Sequence, residues 1–199
     1  PGGEEQFNFL LRNMPVAGKK VLIIGTGAEK IAAKFIEESC ESVLIITEDE
    51  QLLIQTRMNL TDKEKTKVKY SSYTNIDAAE GSFDIVYAQG TVSNTERKKI
   101  LKDVHRVLTA DGVFVVGEMT SLKGDIPAFL RSVFAANGME IVSAESLEMF
   151  YKGEGYKIKS AKDLSNTLKE YYKNTERVFS RRLSNMTKQD QQEHKELIT

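Results

Sequence analysis

Tryptophan is absent, proline occurs three times, and Cys40 is the only cysteine among the 199 residues. A single thiol excludes a disulfide framework and a cysteine-built zinc site within one chain. The two histidines, His105 and His194, stand far apart and make a poor start for a metal cluster. Excess charge is missing too, since 28 Lys and Arg against 29 Asp and Glu leave a formal −1. So balanced a chain does not suit a sequence-independent grip on phosphates, which needs clustered cations, and nucleic acid is not an expected partner. No apolar run approaches the ~20 residues of a bilayer span, and no charged-then-apolar signal opens the chain. Neither a membrane partner nor export is therefore expected, and a reduced, cytoplasmic setting is. The first residue is Pro1 rather than Met, so a preceding segment is expected to have been left out. What remains is ordinary globular composition, 40% apolar and 29% charged, enough for one domain of ~150 residues and an appendage.

Two regimes are visible along the chain. Up to about residue 160, short apolar runs alternate with helical patterns, the signature of a parallel sheet covered on both faces. Val21-Leu22-Ile23-Ile24 is a strand apolar on both sides, closed by Gly25-Thr26-Gly27. A helix follows with Ile31, Ala32, Phe35 and Ile36 on one side. Val43–Ile46 is a second strand, and Thr47-Glu48-Asp49-Glu50 has capping-box spacing, with Thr47 as the cap. Val68–Tyr70 and Phe83–Tyr87 read as further strands. Ser93 to Glu96 repeats the capping-box spacing before a helix carrying Ile100, Leu101, Val104, Val107 and Leu108. Asp111-Gly112 then leads into the strand Val113–Val116. Ile126 to Ala136 reads as a helix stopped by Asn137-Gly138. Glu140–Ser143 and Tyr156–Lys159 are expected to close the sheet, the last pair through a hairpin at Gly153-Glu154-Gly155 and so antiparallel.

Residues 161–199 form a second regime without Gly or Pro, taken as a helical extension to a domain of residues 1–160. Ser160 to Asp163 has capping-box spacing, and Leu164, Leu168, Tyr171, Tyr172, Phe179, Leu183 and Met186 recur at helical steps. Thr187 to Asp190 suggests a break before a short final helix. Such an apolar stripe most simply packs on its own domain; the other reading is a partner surface or a contact in a homo-oligomer.

The succession Val21–Ala28, Gly81–Val86, Leu101–Leu108 and Asp111–Val115 resembles the class I S-adenosylmethionine-dependent methyltransferases, in particular the small-molecule group called type 11. The phrase Arg106-Val107-Leu108 followed by a glycine turn and a strand is its most specific part. The resemblance covers about residues 18 to 160 and implies a Rossmann-like three-layer α/β sandwich. Its sheet would have seven strands, mainly parallel, with the last antiparallel. It also implies S-adenosyl-L-methionine as cofactor and a small-molecule substrate. The cofactor's methionine part would lie against Gly25, Thr26 and Gly27, its ribose near Thr47 or Glu48, its adenine near Ser72, with Ala88, Gln89 and Gly90 after the fourth strand. The chain departs from the family at four places. Ile23 and Glu29 replace an acidic residue and a glycine, and Thr47 and Ser72 replace acidic residues.

Glycines after a strand let a ligand approach the backbone, and a helix start offers free N–H groups. A carboxylate such as Glu48 suits two hydroxyl donors, although a first-turn helix carboxylate is an equally simple role for it. Methyl transfer needs positioning and exclusion of water more than a fixed acid–base pair, so no catalytic motif is required and none is readable. Tyr73, Tyr87, Gln89 and Glu118 stand near strand ends, where an acceptor site or plain structure would use them. Arg181-Arg182 with Lys188 is a modest basic spot that reads as solvated face. The favoured reading is a methyltransferase of an unidentified small molecule. A non-catalytic methyltransferase-like module docking a partner through Leu168, Tyr172 and Phe179 is the alternative. A nicotinamide-dependent enzyme fits only the Gly25-Thr26-Gly27 turn and Glu48.

Overall fold

A computed structural model describes residues 2–25, 27–121 and 126–185, with the backbone alone at 179 and 181–185. Thr26, Met186, the Thr187–Asp190 step, Lys188 and His194 lie outside the described residues, as do the side chains of Phe179, Arg181, Arg182 and Leu183.

The apolar runs pair as a parallel sheet because each is apolar on both sides and can be covered twice. β1 (Lys20–Ile24), β2 (Ser42–Thr47), β3 (Thr66–Tyr70), β4 (Phe83–Gln89) and β5 (Leu108–Gly117) lie in the order β3-β2-β1-β4-β5. Every adjacent pair runs parallel. Along β1, Val21 and Ile23 enter one core while Leu22 and Ile24 enter the other, the alternation that a pleated strand imposes. Helices α1 (Gly3–Asn13) and α2 (Ala28–Glu37) cover the first face with Phe7, Leu10, Ile31 and Phe35. Phe35 sits edge-on between Phe7 and Tyr87, at 5.0 and 5.7 Å between ring centres. Cys40 joins this core as a small apolar residue, and burial pushes its thiol above the usual range. Helix α3 (Glu50–Asn59) flanks β3, with Leu53 against the same cluster. On the other face α4 (Arg97–Val107) presents Ile100, Leu101, Val104 and Val107, and Tyr151 of α6 (Ala144–Gly153) joins them. The result is the expected three-layer α/β sandwich.

Among the described residues the sheet has five strands rather than seven. The Glu140–Ser143 run shrinks to β7 (Val142–Ser143), which pairs in parallel with β6 (Thr120–Ser121) as a separate ribbon. The expected last strand, Tyr156–Lys159, is extended but pairs with no strand among the described residues, so no antiparallel final strand is present there. Its alternation has another cause: Tyr156 and Ile158 turn inward against the second core, and the Tyr156 hydroxyl donates to Leu101 O at 2.7 Å. The hairpin placed at Gly153–Gly155 is instead the end of α6, whose Ser143 cap and apolar Leu147, Phe150 and Tyr151 favour a helix.

All three capping boxes also shift. Asp49, not Thr47, caps α3, accepting from Gln51 N and Leu52 N. The Ser93 hydroxyl is drawn to Glu118, so Arg97 opens α4 without a side-chain cap. Helix α7 (Asn166–Asn185) starts beyond the Ser160–Asp163 box, with Asp163 bonding Ser165 N just before it. Helix α5 (Ala128–Ala136) ends at Asn137-Gly138 as expected, yet it buries no residue and leaves Phe129 and Val133 exposed. Leu164 and Leu168 are half-buried at the start of the stripe, whereas Tyr171 and Tyr172 farther along it are exposed. No described helix is long and apolar enough to cross a membrane.

Tyr87 carries a buried hydroxyl without a hydrogen-bond partner, and burial holds its phenol far above the usual range. An unsatisfied buried hydroxyl costs about 1–3 kcal/mol. Tyr87→Phe is therefore expected to raise unfolding free energy by about 1 kcal/mol, read from the urea midpoint; a fall would mean that the hydroxyl is bonded in solution.

Candidate functional site

The carboxyl ends of the central strands form one rim, because Ile24 of β1 stands beside both Ile46 of β2 and Ala88 of β4. The chain leaves β1 through Gly25 at φ 122° and enters α2 through Gly27 at φ 67°. At Gly25 a Cβ would lie 2.2 Å from Thr91 Oγ1, whose hydroxyl donates to Ile24 O at 3.1 Å. That glycine makes room for the loop after β4. Gly27 differs: its Cβ direction is open to at least 4 Å, and α2 begins there with no side-chain cap. Among the described residues no side chain caps its first N–H groups, which a helix leaves without intrahelical partners.

Across β2, the Thr47 side chain is buried and its Oγ1 accepts from Asp49 N at 3.2 Å. Glu48 is exposed, and its Oε1 accepts from Ser72 Oγ at 2.8 Å and from Tyr73 N at 2.7 Å. The structure thus brings together Glu48 and Ser72, which the sequence places 24 positions apart. Tyr73 itself turns into the second core, where burial raises its phenol. The loop carrying Ser72 is held from behind by α4. Asp103 accepts from Ile76 N and from Arg106, while Arg106 donates to Ala78 O and Ile76 O, each at 2.8 Å. Charge-assisted, two-ended bonding of this sort fixes a loop better than a neutral contact. An open hollow of about 640 Å³ beside that loop is lined by Lys69, Ser72, Asn75 and Arg106 among others. It does not include Gly27 or Glu48, so it is not the rim itself.

At the end of β5 stands Glu118, expected from its position to line an acceptor site. Its side chain is 3% exposed and pairs with Arg97, which is 1% exposed, at 3.2 Å. Ser93 Oγ donates to Glu118 Oε2 and the Tyr151 hydroxyl donates to Oε1. Arg97 also donates to Val92 O and Glu140 O and lies over the Phe150 ring at 5.3 Å. Burial beside the Glu118 carboxylate holds the Tyr151 phenol protonated, far above its usual range. Glu118 is consequently a bonded strut and not a free base. His105 is exposed on α4, edge-on to Tyr156, away from the rim.

Helix α1, which the sequence reading did not foresee, closes the rim over β4 and β5. Gln6 is buried, and its Nε2 donates to Ala88 O at 2.9 Å. A Cβ on Gly117 would meet Gln6 Oε1 at 2.2 Å, so the glycine admits this side chain. Gln89 lies next to it with its Nε2 buried. The missed signal was a glutamine beside Phe7 and Leu10 on the buried face of an amphipathic helix.

Comparison with known proteins agrees with this geometry. Residues 22–116 match the profile of the methyltransferase domain family. The chain has the class I methyltransferase fold. It superposes on a candidate sarcosine dimethylglycine methyltransferase from Galdieria sulphuraria with a TM-score of 0.77 at 16% identity, covering 96% of this chain and 74% of that one. An S-adenosylmethionine-dependent methyltransferase from Mesorhizobium loti gives 0.65 at 16% identity, covering 80% and 84%. The [4+2]-cyclase SpnF gives 0.68 at 16% identity, with 82% of this chain spanning 60% of the cyclase. No curated protein sequence matches the chain. This methyltransferase fold places the four motif segments of the sequence around β1, β4, α4 and β5, the centre of the sheet.

The Arg97–Glu118 pair gives a direct test. Arg97→Met leaves a carboxylate buried without its cation and is expected to cost about 3–5 kcal/mol, measured by urea unfolding. Adding Glu118→Leu should restore much of that loss, whereas a surface pair would show less than about 1 kcal/mol in either variant.

Proposed function

We propose that the protein is an S-adenosyl-L-methionine-dependent methyltransferase acting on a small-molecule acceptor. The observation that carries this reading is the Glu48 carboxylate, exposed at the end of β2 and held by Ser72 Oγ and Tyr73 N. Both bonds fall on Oε1, so the second oxygen is available to a diol, for which a carboxylate is the natural acceptor. Thr47, the position the family resemblance points to, has its hydroxyl turned to Asp49 N. We therefore assign the ribose contact to Glu48, one residue on.

The residues fit the cofactor unevenly and well enough to hold it. The open Gly27 turn and the uncapped start of α2 suit a carboxylate group at a helix N-terminus. Ser72 borders the adenine side, and Ala88 and Gln89 border the reacting end. Gly25 and Thr47 serve the frame, the first by admitting Thr91 and the second by supporting the α3 cap. When bound, the cofactor supplies an electrophilic methyl group on a sulfonium. The chain's own part is orientation and exclusion of water: α1 covers the ends of β4 and β5 through Gln6, and the Glu118 network fixes the loop that carries Thr91. A nicotinamide-dependent reading has no support in the family match.

Calorimetric titration of S-adenosylhomocysteine into the full chain tests the assignment. Micromolar binding, ~8 kcal/mol, is expected. Glu48→Ala should weaken it about tenfold or more, since a hydrogen bond to a charged group is worth about 1.5–3 kcal/mol. Thr47→Val should change affinity little. No heat from folded protein would overturn the reading in favour of a non-catalytic module, and stabilisation by a nicotinamide dinucleotide alone would move the chain to that other class.

A further inference from the structure

Two buried amide atoms at the rim lack partners: Gln6 Oε1, an acceptor, and Gln89 Nε2, a donor. Buried polar atoms are almost always bonded, so each exception asks for an explanation. These two converge. A Cβ on Gly2 would lie 3.2 Å from Gln89 Nε2 and 3.4 Å from Gln6 Oε1, with Leu164 Cδ1 at 3.5 Å. Gly2 thus lies against both atoms, and its N–H donates to Thr167 Oγ1 at 3.0 Å, tying the start of α1 to the start of α7. A donor and an acceptor, each without a hydrogen bond among the described residues, therefore lie against the same residue.

Resting on the methyltransferase reading above, we propose that Gln6 and Gln89 recognise an uncharged hydroxyl group of the methyl acceptor, with the Gly2–Leu164–Thr167 contact as the cover over it. The chemistry selects the class. A hydroxyl donates to Gln6 Oε1 and accepts from Gln89 Nε2 through a single oxygen. A carboxylate can only accept and an ammonium can only donate, so each leaves one amide unpaired. Nor is a charge compensated there. Glu4 pairs with Lys34 at 2.8 Å, and Glu5 pairs with Arg12 at 3.4 Å and Lys162 at 3.6 Å, which turns the acidic neighbours of Gln6 away. Burying an ion against two neutral amides would be costly. Gln6 is anchored for this task by its bond to Ala88 O, beside the proposed cofactor site, whereas Gln89 Nε2 has no bond to lose.

The test uses the full chain, nitrogen-15 labelled and titrated with S-adenosylhomocysteine, then with ethanol, acetate or ethylammonium as matched neutral, anionic and cationic probes. The glutamine side-chain signals are assigned with Gln6→Leu and Gln89→Leu. Ethanol is expected to shift the Gln6 and Gln89 side-chain amide signals saturably and several-fold more than either ion. Gln89→Leu should abolish the Gln6 response while leaving the melting midpoint in place; it remains informative even if Gln6→Leu does not fold. Unmoved amides in protein that binds S-adenosylhomocysteine would overturn the hydroxyl site, and the site would then hold ordered water only. An equal response to acetate or ethylammonium would overturn the neutral specificity. Absent S-adenosylhomocysteine binding with an intact ethanol response would overturn the methyltransferase reading, and with it the acceptor role of a hydroxyl site that itself stands.

Discussion

A carboxylate buried at the end of β5 governs how the outer parts of this molecule meet the sheet. Glu118 takes bonds from Arg97, Ser93 and Tyr151, which come from the first turn of α4, the loop after β4 and helix α6. Taking both charges out of water costs several kcal/mol each, and the bonds nearby offset much of that cost, although Arg97 Nη1 is itself buried without a partner. Arg97 passes the connection on to Val92 O and Glu140 O, and Ser93 Oγ accepts from Met119 N. Apolar packing alone would let these segments slide against one another. The buried ion pair gives them one register, and Thr91, which fills the space Gly25 leaves, sits within the loop so fixed.

Helix α4 performs this service at both ends. Arg97 is its first residue and Arg106 lies in its last turn. The first clamps the loop after β4; the second, with Asp103, clamps the loop after β3 that carries Ser72. The motif phrase around Arg106-Val107-Leu108 acquires a physical meaning here. Arg106 grips two carbonyls, Val107 is buried in the second core, and Leu108 begins β5 beside Phe83. Gly112 then lets the strand fold past Leu108, since a Cβ there would come within 2.8 Å of Leu108 Cδ2. The loops after β3 and β4 are thus braced by one helix.

The parts legible in the sequence were those where burial is two-sided and periodic. β1, β2 and β4 are apolar runs closed by turns, α2 and α4 have stripes at helical spacing, and each lies where the pattern placed it. Tyr156–Lys159 failed because alternation reports side-chain burial, not backbone pairing; packing against α4 produces the same pattern as a sheet. Thr47 and Ser93 failed as caps because a better acceptor or a buried carboxylate competed for the same groups. Arg97 and Glu118 were invisible as a pair, since charged residues on an amphipathic helix and at a strand end look solvated one at a time. Glu48 was legible only as an alternative to Thr47, and the deciding fact, Tyr73 N and Ser72 Oγ on one oxygen, is a tertiary contact.

Unsatisfied polar atoms divide by their surroundings. Tyr87 is enclosed by the edge-on Phe35 ring and by the first core, so its hydroxyl is a cost carried by the fold. Gln6 and Gln89 have the same deficiency at the carboxyl edge of a parallel sheet, where open α/β folds bind ligands. Their neighbours include Gly2, Gly117 at the end of β5, and Leu164 just before α7. The fold by itself does not choose a reaction, since a [4+2]-cyclase shares it with methyltransferases. What distinguishes members is the chemistry gathered at that edge. In this chain the gathered groups are an exposed carboxylate on the β2 side and two neutral amides on the β4 side. The charged half suits a polar cofactor held in the open, and the neutral half suits an uncharged acceptor enclosed against water.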